Sequence, residues 1–150
     1  MDEVIDIKRA DPQDFVVLLT ASENYMASLY PAESNHVLDV ETLCQPQMHF
    51  FGGTVDGVAK ACGGFWAFAD YAEIKRVYVD PSARGMGLGR KLMQVIEQAA
   101  RAHGLKLARL ETGISQPEAL GLYEKLGYHY RAPFGDYRLD PLSLFMEKVL

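Results

Sequence analysis

One stretch limits what this chain can fold into more than any other: Val77-Tyr78-Val79-Asp80-Pro81-Ser82-Ala83-Arg84-Gly85-Met86-Gly87-Leu88-Gly89-Arg90-Lys91. A β-prone run stops at Asp80-Pro81. A turn rich in glycine and cations follows, and an amphipathic helix starts without a break. Strand, glycine turn and helix in that order make an anion cradle. The first N–H groups of a helix have no intrahelical partner and carry the positive end of its macrodipole. Gly85, Gly87 and Gly89 place no Cβ between those amides and a phosphate. Two common phosphate signatures fail here. The P-loop needs Ser or Thr after its lysine, and Lys91 is followed by Leu92. The dinucleotide fingerprint G-x-G-x-x-G accepts Gly85 and Gly87 but meets Arg90 where its third glycine belongs. What remains is Arg84-x-x-Gly87-x-Gly89.

With 150 residues, 49% of them hydrophobic, the chain reads as one globular domain spanning 1–150. Its acidic start lacks the apolar run of a secretory signal, and no segment is apolar enough to cross a bilayer. A cytoplasmic protein without a membrane partner is the expectation. The net charge of −5 argues against nucleic-acid binding and leans towards a cationic or amine partner. Cys44 and Cys62 lack metal-ligand spacing, so both are expected to be buried free thiols and no metal is expected.

Taken in order, Val4–Lys8 reads as a strand. Asp11-Pro12 is a helix start, and Phe15, Leu18, Leu19, Ser22, Met26 and Leu29 give that helix an apolar face ending before Pro31. A short helix over 39–44 is expected next. Strand-like runs 48–55 and 58–68 flank the hairpin signal Asp56-Gly57, and Gly63-Gly64 marks a bulge or a close backbone approach. A strand over 71–79 alternates imperfectly, which suggests a second bulge. The helix after the cradle carries Leu88, Leu92, Ile96, Ala99 and His103 on one stripe, with Met93 and Ala100 beside it. Arg90, Lys91, Gln94, Glu97, Gln98 and Arg101 face elsewhere, and Gly104 ends the helix. A strand over 106–112, a Ser115-x-x-Glu118 capping box, a helix over 117–126 stopped by Gly127 and a last strand over 144–149 complete the pattern.

Arg84-x-x-Gly87-x-Gly89 resembles the pyrophosphate-binding motif of the GNAT family of N-acetyltransferases, R/Q-x-x-G-x-G/A. Two further matches extend the resemblance over the second half of the chain. Glu73 stands near the start of its strand, where several family members place a general base. The run from Ala119 to Tyr128 is similar to the family pattern A-x-x-L-Y-x-x-x-G-[FY], whose tyrosine here is Tyr123. The resemblance implies a mixed α/β (α+β) domain with a mostly antiparallel central sheet, flanking helices and splayed fourth and fifth strands. It implies acetyl-CoA as cosubstrate, bound by Val77, Tyr78, Val79, Arg84, Gly85, Met86, Gly87, Leu88, Gly89 and Arg90. The family often has an asparagine where this chain has Gln116, the remaining candidate contact. Tyr123 would protonate the departing thiolate, and Glu73 would deprotonate an amine that is mostly protonated at neutral pH. Glu23, Tyr25, Tyr30 and His36, with Phe134, Asp136 and Tyr137 from the tail, would border the acceptor site. The resemblance also allows a homodimer.

Acetyl transfer to a primary amine in a ternary complex is therefore the expected activity, with a small-molecule acceptor favoured over a protein amino group. Two rivals stand beside it. A non-catalytic acyl-CoA sensor would need the glycine turn but neither Glu73 nor Tyr123. A nucleotide-binding protein is disfavoured by the failed spacings.

Overall fold

Phe50 and Phe51 are neighbours in sequence and belong to different cores. Successive residues of a strand point to opposite faces of its sheet. Phe50 therefore packs with Phe15, Leu18, Leu19, Leu43, Met48 and Cys62, while Phe51 packs with Phe65, Leu88, Leu92 and Ile96. The computed structural model describes residues 3–34 and 38–150. It shows one sheet covered on both faces. The strands are β1 (Ile5–Arg9), β2 (Met48–Val55), β3 (Val58–Ala67), β4 (Ala72–Val79), β5 (Leu107–Gly113), β6 (His129–Arg131) and β7 (Ser143–Val149). Their order is β1-β2-β3-β4-β5-β7-β6, and every pair is antiparallel except β4 with β5. The helices are α1 (Val16–Leu29), α2 (Val40–Leu43), α3 (Leu88–Ala102) and α4 (Pro117–Lys125). Residues of α1 and α2 share the first core, and those of α3 and α4 share the second. Among the described residues no helix is long and apolar enough to cross a membrane.

The expected punctuation holds at most joints. The Asp11 carboxylate caps the turn that leads into α1, accepting from Gln13 N at 2.9 Å, and α1 stops at Tyr30 before Pro31. Asp56 and Gly57 take positive φ values of 50° and 81°, as a tight β2–β3 hairpin requires. The β3–β4 ladder slips between Cys62 and Gly64: Cys62 faces Tyr78, but Gly64 faces Lys75. Gly63 therefore stands against both Arg76 and Val77, which is the bulge that the imperfect alternation of this strand suggested. A Cβ on Gly63 would lie 2.9 Å from Val77 Cα, and one on Gly64 would lie 2.1 Å from His49 O.

Four expectations need correction. Glu97 does not face solvent: it is 3% exposed, and its carboxylate accepts from Tyr128 Oη and Lys148 Nζ, each at 2.8 Å. A helical stripe is read from apolar spacing, and partners from the last strands lie outside its reach. The Ser115-x-x-Glu118 capping box does not form; Gln116 occupies the N-cap of α4 without a side-chain bond, and Pro117 follows it. Cys44 is exposed at the end of α2, whereas Cys62 is buried, which pushes its thiol up to about 12. β6, only three residues long, adds a strand between Gly127 and the last strand, where the sequence pattern placed none.

Candidate active site

The site begins where β4 leaves β5. The two strands pair only from Ala72 to Ile74, against Ala108 to Leu110. Beyond that point β4 keeps its bonds to β3 and exposes its other edge. Asp80 N donates to Lys60 O at 2.8 Å, so by alternation the main-chain groups of Tyr78 face β3 and those of Val77 and Val79 face the opening. The bulge at Arg76 turns this half of the strand away. Arg76 has φ 61°, and its side chain is 4% exposed. Its guanidinium donates to Leu38 O, to Leu19 O at 3.1 Å and to Glu23 at 3.3 Å. The bulge is thereby tied to α1 and to the segment before α2.

Below the parted strands lies the glycine turn. Asp80 orders its start by accepting from Ser82 N and Oγ at 2.9 and 2.6 Å, and these bonds hold its carboxyl below the usual range. Gly85 and Gly87 have φ values of 85° and 74°, a region that side chains rarely adopt, and a Cβ on either would meet only open space. Gly87 is also the N-cap of α3, so the free N–H groups of that helix open on the turn. Gly89 is small for another reason: its Cβ would press Leu122 Cδ2 of α4 at 3.2 Å. A cavity of about 340 Å³ follows this surface, lined by Val77, Tyr78, Val79, Arg84, Gly85, Gly87, Leu88, Gly89 and Arg90 on one side and Gln116, Ala119, Leu122 and Tyr123 on the other. Met86 turns inward against the core instead.

Tyr123 stands at the floor. It lines this cavity and also a narrow cleft of about 80 Å³ between β4 and β5. It is 7% exposed, and burial drives its hydroxyl well above the ordinary tyrosine value, so it is protonated at neutral pH. Gln116 lines both spaces, and its Oε1 accepts from Tyr30 Oη at 3.2 Å. The same hydroxyl accepts from Ser115 N at 3.0 Å. Tyr30 is thus a buried clamp on the loop before α4.

Lys75 leads from the cleft to Glu73, because residues two apart in a strand share a face. Lys75 Nζ donates to Tyr137 Oη at 2.6 Å and lies 3.2 Å from Glu73 Oε2. Tyr137 Oη donates to that same oxygen at 2.6 Å. Both bonds fall on Oε2, and among the described residues neither reaches Oε1. Burial first, and the Glu73 charge second, raise the Tyr137 hydroxyl far above its ordinary value. Glu73 and Tyr137 then line a third cavity of about 530 Å³ with Glu33, Phe68, Tyr71, Asp136, Arg138 and Asp140.

The residues picked from the sequence are therefore brought together unevenly. The cradle, Tyr123 and Gln116 line the first two spaces, and Lys75 of the cleft bonds to Glu73 and Tyr137, which line the third cavity with Asp136. Tyr25 lines the cradle cavity and packs on Tyr78 at 6.4 Å. Glu23 is engaged by Arg76. Phe134 is buried in an aromatic cluster with Tyr71 and Phe145, beneath the third cavity. His36 lies outside the described residues. Sequence reasoning missed Phe68, Tyr71, Arg138 and Asp140 as lining residues. They meet only because the β3–β4 hairpin and the loop before β7 pack on one another. Lys75 was visible as a neighbour two places from Glu73.

An open sheet that parts between β4 and β5, with a glycine turn feeding a helix at the opening, defines a class of acyl-transfer fold. The chain belongs to the GNAT family of acetyltransferases, whose family model matches residues 13–128, and it is an acetyl-CoA-dependent acyltransferase. A protein named IAA acetyltransferase from Azospirillum brasilense is 46% identical over 150 residues, which span 97% of this chain and 98% of that one. A Klebsiella pneumoniae structure named as an acyl-CoA N-acyltransferase superposes with a TM-score of 0.83 at 34% identity, covering 98% of each chain. The PaiA N-acetyltransferase of Thermoplasma acidophilum, solved in complex with coenzyme A, shares the fold with a TM-score of 0.75 at 18% identity, over 98% of this chain and 99% of that one.

Proposed function

We propose that the chain moves an acetyl group from acetyl-CoA directly to a primary amine, and that the acceptor is a small molecule. The observation that carries this reading is Tyr123, protonated and buried, at the junction between the cradle cavity and the cleft that leads towards Glu73. The cradle residues fit CoA. Arg84, Arg90 and the free amides of α3 suit its phosphates, and the exposed edge of Val77 and Val79 suits the amide-bearing arm. A main-chain N–H at Val77 would then face the thioester carbonyl and steady the charge that grows on it. Glu73 Oε1 takes the acceptor's proton, directly or through water, while Lys75 and Tyr137 hold Oε2. Tyr123 gives its proton to the sulfur as the C–S bond breaks. The balance closes because the ammonium loses two protons: the one taken by Glu73 goes to solvent, and the one shed by the attacking nitrogen as the amide forms replaces, through solvent, the proton that Tyr123 gave to sulfur. The third cavity supports a small acceptor, since its volume lies in the range typical of small-molecule sites, and the name of the Azospirillum relative points the same way.

The test measures CoA release and acetylated product with an amine panel, for the parent, Tyr123→Phe and Glu73→Gln. Loss of a positioned acid or base should lower kcat roughly 10²-fold, with acetyl-CoA affinity by titration nearly unchanged. Glu73→Gln should lose most at low pH, where acceptor amines are most fully protonated. Full turnover in Tyr123→Phe would remove that residue as the acid. Tight acetyl-CoA binding without transfer to any amine would support the sensor reading instead.

A further inference from the structure

The cavity beyond Glu73 has two unlike kinds of lining. Phe68, 41% exposed, lies nearly parallel to Tyr71, with ring centroids 4.7 Å apart and planes 19° apart. Leu139, which also lines the cavity, is 87% exposed. Isolated exposed apolar side chains are ordinary on protein surfaces. Two that share one concave space with a buried carboxylate are a different matter. Arg109 fixes the ring wall from behind, its guanidinium 4.5 Å from the centre of Tyr71, and Phe68 N donates to Tyr71 O at 3.0 Å. The hairpin is thus pinned in both backbone and ring. The rest of the lining is charged. Among the described residues Glu33, Glu73, Asp136 and Asp140 line the cavity with Arg138, and Lys75 stands 3.2 Å from Glu73, so carboxylates outnumber cations there four to two.

We propose that this cavity selects a primary amine carried on an aromatic body, as in an arylalkylamine with a single charge and no carboxylate. This rests on the amine-transfer reading above. The ammonium end sits towards Glu73, where one carboxylate oxygen remains available to it. The ring lies along Phe68, whose face is already set by Tyr71, so little side-chain freedom is lost on binding. The excess of carboxylates repels an acceptor that carries its own. Arg138 disfavours a second amine, and a polyamine would also leave the apolar wall against water. Because the surface was built by tertiary packing of residues 68–71 and 135–140, no motif in the sequence announces it.

The experiment compares kcat/KM for phenethylamine, butylamine, phenylalanine and spermidine on the parent enzyme, at fixed acetyl-CoA. Burying a ring should favour phenethylamine over butylamine by about tenfold or more, and phenylalanine should fall below phenethylamine by a similar factor. Phe68→Ala should shrink the advantage over butylamine through a rise in KM for the ring-bearing amine, whereas Phe68→Trp should keep it. Equal kcat/KM for phenethylamine and butylamine would overturn the selectivity and leave amine transfer intact. Turnover with spermidine or phenylalanine above phenethylamine would overturn it as well. If none of the four is acetylated while acetyl-CoA binds, the inference is overturned, and the amine-transfer reading falls with it only if the wider amine panel also gives no product.

Discussion

Arg76 offers the sharpest test of how the cleft is held open. It sits in the left-handed region at φ 61°, which costs a residue with a side chain about 1 kcal/mol. Against that cost stand its hydrogen bonds to Leu19 O and Leu38 O and its ion pair with Glu23, all made by a side chain only 4% exposed. Charged hydrogen bonds of this kind contribute roughly 1.5–3 kcal/mol each before their partners find water. Leu19 O keeps its helix and Glu23 is half-exposed, so we set the loss on truncation at about 3 kcal/mol. Arg76→Ala removes the contacts and keeps the strained backbone, so it should lower stability by that amount and Tm by about 6–12 °C. Arg76→Gly removes the same contacts but relieves the strain, so it should be about 1 kcal/mol more stable than Arg76→Ala. The assay is urea unfolding followed by thermal melts of the three proteins. The order should be parent, glycine, alanine. If Arg76→Ala equals the parent, the contacts contribute nothing. If alanine equals glycine, the backbone is not strained there.

Two other perturbations check separate parts of the structure. Gly64→Ala would drive a Cβ into the main chain at His49 O and should destabilise by about 3 kcal/mol; an unchanged urea midpoint would show that β2 and β3 can part without cost. His49 lies against Arg9, whose Nη1 is 2.8 Å from its Nδ1, and against the His103 ring at 4.7 Å, with its own ring stacked on Phe65. Burial first, then Arg9 and His103, lower its basicity in the folded protein. The unfolded chain therefore takes up a proton first on acidification. The contribution of His49 is complete above about pH 6.5 and is lost as pH falls through the lower folded value. His49→Gln should flatten the fall in urea midpoint between pH 7.5 and 5.5, and an unaltered slope would remove His49 as a source of acid sensitivity.

Much of the fold was legible because its signals are local. Asp11-Pro12, Asp56-Gly57 and Gly104 act within a few residues of themselves, through a cap, a hairpin and a helix end. The bulge at Arg76 showed as a break in alternation, although the alternation did not say that the arginine itself would turn into the left-handed region. Glu97 was misread because its partners, Tyr128 and Lys148, arrive from the far end of the chain. Ser115 and Glu118 have the spacing of a capping box, yet the clamp of Tyr30 on Ser115 N and Gln116 sets that loop instead.

By itself the sequence determined the glycine turn and the place of Tyr123, the proposed acid. Positive φ, a missing Cβ and unpaired helix amides are properties of the run from Arg84 to Gly89, and Tyr123 lies in a motif only a few residues long. Only the tertiary structure decided what surrounds Glu73. A strand residue's face follows from parity, but the partners that meet it come from loops many residues away. Packing of the Phe134–Tyr137 turn against β4 put the Tyr137 hydroxyl on one carboxylate oxygen of Glu73, in a cavity that Phe68 also lines. Contacts of that kind depend on the positions of several elements at once, and no spacing in one segment encodes them.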